Sequence, residues 1–127
     1  MPADFDLDRS RRIVHSRVWG PVTDGELLSH MSRIQGLLDS GVLDPSWAHV
    51  YDLSESDMSG VSAAAVRRLA EGSPWPAGTV RVLVGPLDVQ FGLARMYQLL
   101  GGARTASVHI TRTLAEAATF IELERSR

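Results

Sequence analysis

Cysteine and lysine are both absent from the 127-residue chain, and aromatic residues make up only 6% of it. Without cysteine there are no disulfides, no thiolate metal sites and no cysteine nucleophile. Without lysine there is no phosphate-loop lysine; the Gly-x-x-x-x-Gly-Lys pattern and the Gly-rich turn of a dinucleotide fold are missing as well, which argues against classical nucleotide hydrolysis. No apolar run approaches the ~18 residues that a membrane span needs. Charge of a dominant sign is lacking too, since 13 basic residues face 15 acids for a net charge of −2. Nucleic acid is therefore not an expected partner. That every basic residue is arginine reads as coding bias rather than chemistry. The segment Met1 to Asp8 holds acids and no basic residue, unlike a secretory signal, so the expected compartment is the cytoplasm. What is present, 44% apolar and 22% charged residues, suits one soluble domain spanning 1–127.

Phe5 and Leu7 alternate with acids, Asp8 to Arg11 offers turn chemistry, and Ile13 to Trp19 alternates again, so the chain opens as a β-hairpin. Thr23-Asp24-Gly25-Glu26 has the form of a capping box, and Leu27, Leu28, Met31, Ile34, Leu37 and Leu38 follow at helical spacing up to Gly41, where a left-handed residue would stop the helix. Trp47 to Leu53 reads as a strand covered on both faces. The polar stretch Ser54 to Asp57 reads as a loop into a helix that starts at Ser59 or Ser62 and stops at Gly72, with Val61, Ala65, Val66 and Leu69 inward. Thr79 to Val84 is a second buried strand, and Asp88 can cap a third helix with Val89, Leu93, Met96, Tyr97 and Leu100 inward. A strand over 106–111 and a helix opened by the capping box Thr113 to Glu116, with Leu114, Ala117, Ala118 and Ile121 inward, complete the chain. The order β-β-α-β-α-β-α-β-α predicts an α/β fold, a mixed sheet of about five strands with four helices.

Catalytic signatures are missing. Gly60-Val61-Ser62-Ala63-Ala64 lacks the second glycine of a hydrolase elbow. His15, His30, His49 and His109 fall on separate elements with no paired ligand spacing, so no metal is expected. No two carboxylates share an apolar setting that would split their pKa values. We therefore expect no enzyme, no catalytic residue and no cofactor.

Ligands of open α/β sheets gather at the carboxyl ends of the strands. Asp52, Ser54, Glu55, Ser56, Asp57 and Ser59 crowd that edge, where they either cap a helix and its turns or form a polar site. Three segments, Val18-Trp19-Gly20-Pro21-Val22-Thr23, Val50-Tyr51-Asp52-Leu53-Ser54 and above all Phe91-Gly92-Leu93-Ala94-Arg95-Met96-Tyr97, resemble the SpoIIAA-like bacterial proteins of the STAS and CRAL-TRIO type over essentially the whole chain. The resemblance implies a non-catalytic STAS-like fold related to anti-sigma-factor antagonists. It also implies an apolar pocket for a lipid-like ligand, or transient contact with a membrane surface, and a homodimer. Asp52-Leu53-Ser54 followed by Asp57-Met58-Ser59-Gly60 is similar to the antagonists' phosphorylation motif, with Ser59 on the acceptor position, a shorter intervening loop, and Met58 where the motif has its first serine.

A second expectation concerns the starts of the second and third helices as neighbours on one rim. Met58, Leu87 and Phe91 would border an apolar opening beneath these helices, with Ser54, Asp57, Arg95 and Tyr97 as polar anchors. The alternative is that Met58 and Phe91 complete an ordinary core or a dimer contact. Arg95 is the expected anion holder, since a guanidinium fork fixes a carboxylate or phosphate, although it could equally pair with an acid of the same chain. Trp75, between two prolines, is expected at the opposite edge and outside the site.

Overall fold

The computed structural model describes residues 3–127. Its five strands, β1 (Ala3–Asp8), β2 (Ile13–Pro21), β3 (Ala48–Asp57), β4 (Arg81–Val84) and β5 (Val108–Thr111), lie in one sheet in sequence order. The hairpin β1–β2 is antiparallel and every later pair is parallel. The helices are α1 (Asp24–Asp39), α2 (Ala63–Glu71), α3 (Asp88–Leu100) and α4 (Leu114–Arg125). Because each crossover steps the same way along the sheet, right-handed connections place α1, α2 and α3 on one face. The final helix lies on the other.

Strand alternation divides the core accordingly. Ile13, Ala48, Val50, Val82 and Val84 pack with Ala117 and Ile121 of α4. Val14 of β2 packs with Ile34 of α1, Leu43 and Trp75, while Val18, Val22 and Met58 form a further cluster joined by Leu27 and Leu93. Three expected helix signals hold: Thr23 and Thr113 accept from the amides of Glu26 and Glu116, and Gly41 takes a φ of +79° after α1. Asp88 does not cap α3 as expected, since Leu87 holds the cap position and the Asp88 carboxylate, one residue inside the helix, pairs with Arg112.

Several details differ from the sequence reading. The stretch Ser54 to Asp57 is not a loop but the end of β3, paired with β2 as Trp19↔Glu55, Gly20↔Ser56 and Pro21↔Asp57 beyond a register shift. The last two strands are shorter than expected, and a 3-10 turn, Gly102–Thr105, precedes β5. Of the two starts expected for α2, Ser62 is the one used, and it is itself held by the Asp24 carboxylate through its amide (2.8 Å) and hydroxyl (2.6 Å). The third helix is also rotated from the expected phase: Gln90 and Ala94 are buried, whereas Val89 is exposed, and on α4 Leu114 is exposed as well.

Gln90 explains both the rotation and the longer β3. Pairing of β4 with β3 stops at Asp52↔Val84, which leaves carbonyls beyond it without a strand partner. The Gln90 amide fills that role. Its Nε2 donates to Leu53 O (2.7 Å) and Ser56 O (3.0 Å), while its Oε1 accepts from Leu87 N (3.1 Å). Gly85 permits the approach, because a Cβ there would lie 3.0 Å from that of Gln90. One fully buried side chain thus ties the start of α3 to the end of β3. Gln90→Leu, which strands these buried groups, is expected to lower stability by about 2–3 kcal/mol, read as a lower urea midpoint at unchanged m value.

Candidate functional site

Between the sheet and α1, α2 and α3 lies a partly open cavity of about 130 Å³. Its floor comes from alternate residues of the two central strands, Tyr51 and Leu53 of β3 and Arg81 and Leu83 of β4. Leu27, His30, Met31 and Ile34 of α1 form one wall, Val66 and Leu69 of α2 another, and Leu93, Ala94 and Tyr97 of α3 a third. Met58, Val61, Pro74 and Trp75 come from the segments flanking α2. The wall surface is almost wholly apolar, although Arg81, Tyr51, Tyr97, His30 and Trp75 among its residues carry polar groups.

Arg81 is 1% exposed, although it is the first residue of a central strand. Its Nε donates to Thr79 O (3.2 Å), Nη1 to Ser73 Oγ (3.0 Å) and Tyr97 Oη (3.3 Å), and Nη2 to Arg104 O (2.8 Å). All four acceptors are neutral. Among the described residues, no carboxylate reaches salt-bridge distance of the guanidinium. Burial pulls its pKa down and the Tyr97 and Tyr51 hydroxyls push it back up, yet a guanidinium stays charged at neutral pH.

A ring cluster stands beside this cation. His49, fully buried, places Nε2 2.5 Å from Ser16 Oγ and its ring 4.2 Å from Tyr51 and 4.7 Å from Trp75. His30 stacks on Phe5 at 5.7 Å and meets Tyr51 edge-on at 5.8 Å. Three buried nitrogens, His30 Nε2, His49 Nδ1 and Trp75 Nε1, have no hydrogen-bond partner. The Trp75 N–H lies near enough to the Tyr51 hydroxyl to lower its pKa, against a stronger upward push from burial, without completing a bond.

The structure distributes the expected site residues unevenly. Met58 and Tyr97 stand in the cavity wall. The other expected residues do not. Ser54 is exposed, its amide turned to the Asp52 carboxylate (3.0 Å), and Arg95 is exposed and donates to Gln98 Oε1 (2.9 Å). Asp57 and Ser59 form a closed turn, with Asp57 Oδ1 accepting from the Ser59 amide (3.0 Å) and hydroxyl (2.6 Å), a set that holds the Asp57 carboxyl below its usual pKa. Phe91 turns to the far side of α3, where the Arg112 guanidinium sits 4.1 Å from its ring centre. Leu87 is exposed. Gln90 ties the start of α3 to the end of β3, the strand that leads toward α2, but of the three residues expected on that rim only Met58 borders the cavity.

Trp75 corrects the opposite error: it is buried and lines the cavity. None of Tyr51, His30 and Arg81 was an expected site residue: Tyr51 entered only within a resembling segment and His30 only as a histidine without paired ligand spacing. For Arg81 a signal existed, a lone cation within Val80-Arg81-Val82-Leu83-Val84, in a strand whose parallel neighbours demand burial on both faces.

No family model and no curated protein matches the chain. Among solved structures, an uncharacterised protein of the DUF3478 family with a SpoIIAA-like fold, from Shewanella loihica PV-4, superimposes with a TM-score of 0.58 at 15% identity, covering 93% of this chain and 92% of that one. The architecture described above is therefore a SpoIIAA-like fold. No helix among the described residues is long and apolar enough to cross a membrane.

The buried histidines give stability a pH dependence of known sign. Burial, reinforced by Arg33, lowers the pKa of His30 to about 4; burial, reinforced by neighbouring positive groups, holds His49 well below its ordinary value. In the unfolded chain both protonate near 6.5. Between there and about 4 the unfolded state binds more protons, so stability falls as pH falls through this window. Urea unfolding should show a loss of about 2 kcal/mol or more from pH 7 to pH 4.5. His30→Phe, which keeps a ring against Phe5 but cannot titrate, should flatten part of that slope.

Proposed function

We propose that the chain is a non-enzymatic STAS-like binding module that accommodates a small apolar or lipid-like ligand between its three same-side helices and the sheet. The apolar cavity carries this reading. Protein interiors rarely hold voids larger than a water molecule. One of about 130 Å³ leaves its apolar lining short of packing partners. It is close in size to apolar cavities that take up a benzene-sized molecule. Among the described residues the wall contains no carboxylate, serine, threonine or cysteine, and His30 Nε2 is bonded to neither tyrosine hydroxyl of the wall, so no nucleophile is paired with a base there. A binding role suits such a wall better than a catalytic one.

A switch by phosphorylation of Ser59 has less in its favour. Its hydroxyl already donates to Asp57, and it precedes the cap of α2 at Ser62 instead of lying among the free amides of that helix. A phosphate there would meet a carboxylate before it met the helix dipole.

Octanamide, a neutral amphiphile, provides the test. Titration followed by methyl chemical shifts should be saturable, with the largest changes at Leu53, Leu69 and Leu93. Ala94→Met, which fills the cavity from α3, should weaken binding by about tenfold or more. Absence of saturable binding, together with a native mass spectrum showing only the bare chain after gentle purification, would overturn the proposal.

A further inference from the structure

The polar residues within this apolar wall narrow the chemistry of the ligand. A guanidinium 1% exposed and surrounded by neutral acceptors carries a full positive charge with no counter-ion among the described residues. Buried charges are ordinarily paired. Exposed cations of this chain that need pairing far less do find acids, as Arg112 does with Asp88 and Arg17 with Asp4 and Glu55. Four hydrogen bonds also leave one of the five guanidinium N–H groups uncommitted, on Nη2, which donates only to Arg104 O. Around Arg81 in the same wall stand the Tyr97 hydroxyl, the Tyr51 hydroxyl and the buried Trp75 N–H without a partner. The Tyr51 O–H and Trp75 N–H can donate to an oxyanion, and so can the Tyr97 O–H by leaving its long bond to Ser73 Oγ (3.5 Å).

We infer that Arg81 is the anchor for the acid group of the ligand, and that the ligand is an apolar monocarboxylate. Its carboxylate meets Arg81, with Tyr97 and Tyr51 as further donors, and its tail runs along the strand direction toward Leu53, Leu83, Met58 and Leu93. The strand geometry supports this direction: in register Arg81 faces His49, so Leu53 lies four residues farther along β3, about 13 Å at the usual rise. A volume of about 130 Å³ limits the enclosed tail to about the six carbons of benzene, with any further carbons leaving through the opening. A single carboxylate suits the site better than a phosphate dianion, because one buried cation balances one negative charge and the remaining donors are neutral.

This inference rests on the binding module proposed above, and the comparison of two ligands of nearly equal shape separates the two. Octanoate and octanamide are titrated in parallel into the unmodified protein. Octanoate is expected to bind roughly ten- to hundredfold tighter, the range for hydrogen bonds to a charged group, and to shift the Arg81 Nε–H resonance. Arg81→Met should abolish the preference for octanoate over octanamide. Should that variant not fold, the ligand pair and the Arg81 resonance in the unmodified protein decide alone. Equal binding of the two ligands, an unmoved Arg81 resonance, or an octanoate preference that survives in a folded Arg81→Met would overturn the anchor and leave the cavity's role intact. Failure of both ligands to bind would overturn the anchor together with the reading beneath it.

Discussion

A single unpaired positive charge at the start of β4 organises the helix-covered face of this protein. Arg81 reaches Thr79 on its own strand, Ser73 in the segment after α2, Tyr97 on α3 and Arg104 in the turn before β5. Four separate pieces of chain thus converge on one guanidinium whose fork geometry fixes their relative positions. Removing a charge is often harmless when its replacement packs well, but removing one partner of a buried network is costly. Arg81 is therefore both a structural hub and the most polar point of a largely apolar cavity, two roles that follow from the same placement.

The cavity itself is a consequence of how α3 is attached. Gln90 and Ala94 set the helix's inward phase, one by hydrogen-bonding the carbonyls that β4 leaves unpaired, the other by being small. Opposite, α2 buries Ala65, Val66 and Ala70, side chains too short to reach across. Space remains between them, lined by the larger Leu69, Leu93 and Tyr97. The α4 face shows what the alternative looks like, where Val50, Val82 and Val84 pack directly on Ala117 and Ile121. Same strands, alternate residues, different filling: valine on one side, Tyr51, Leu53, Arg81 and Leu83 on the other.

Much of this was legible in the sequence wherever one local rule decides. Thr23, Ser62 and Thr113 mark helix starts because an orphan amide needs a nearby side-chain oxygen, and Gly41 marks a stop because φ is positive there. The order of elements then gives the SpoIIAA-like topology. What local rules misjudged depended on partners distant in sequence. Ser54 to Asp57 reads as a loop by composition, yet it pairs with Trp19 to Pro21 and is finished by Gln90. The hydrophobic periodicity of α3 favoured Val89, but a glutamine that satisfies buried carbonyls outranks a valine that can stay exposed.

That the sequence reading singled out Arg95 and passed over the buried Arg81 has the same cause and shows what kind of signal points to a cavity. Arg95 drew attention because it stands in a distinctive run of residues, and on a helix surface an arginine has solvent to satisfy it; the structure finds it paired with Gln98 a turn away. Arg81 stands in an unremarkable run of valines and leucines. In a central strand there is no solvent on either face, so a cation at that position must be accommodated by design of its surroundings. Conflict with the local environment, rather than distinctiveness of the motif, is thus the better pointer to function. The unbonded Trp75 N–H follows the same logic, since a buried donor left open beside an open cavity is a mismatch within the protein that a ligand oxygen would resolve.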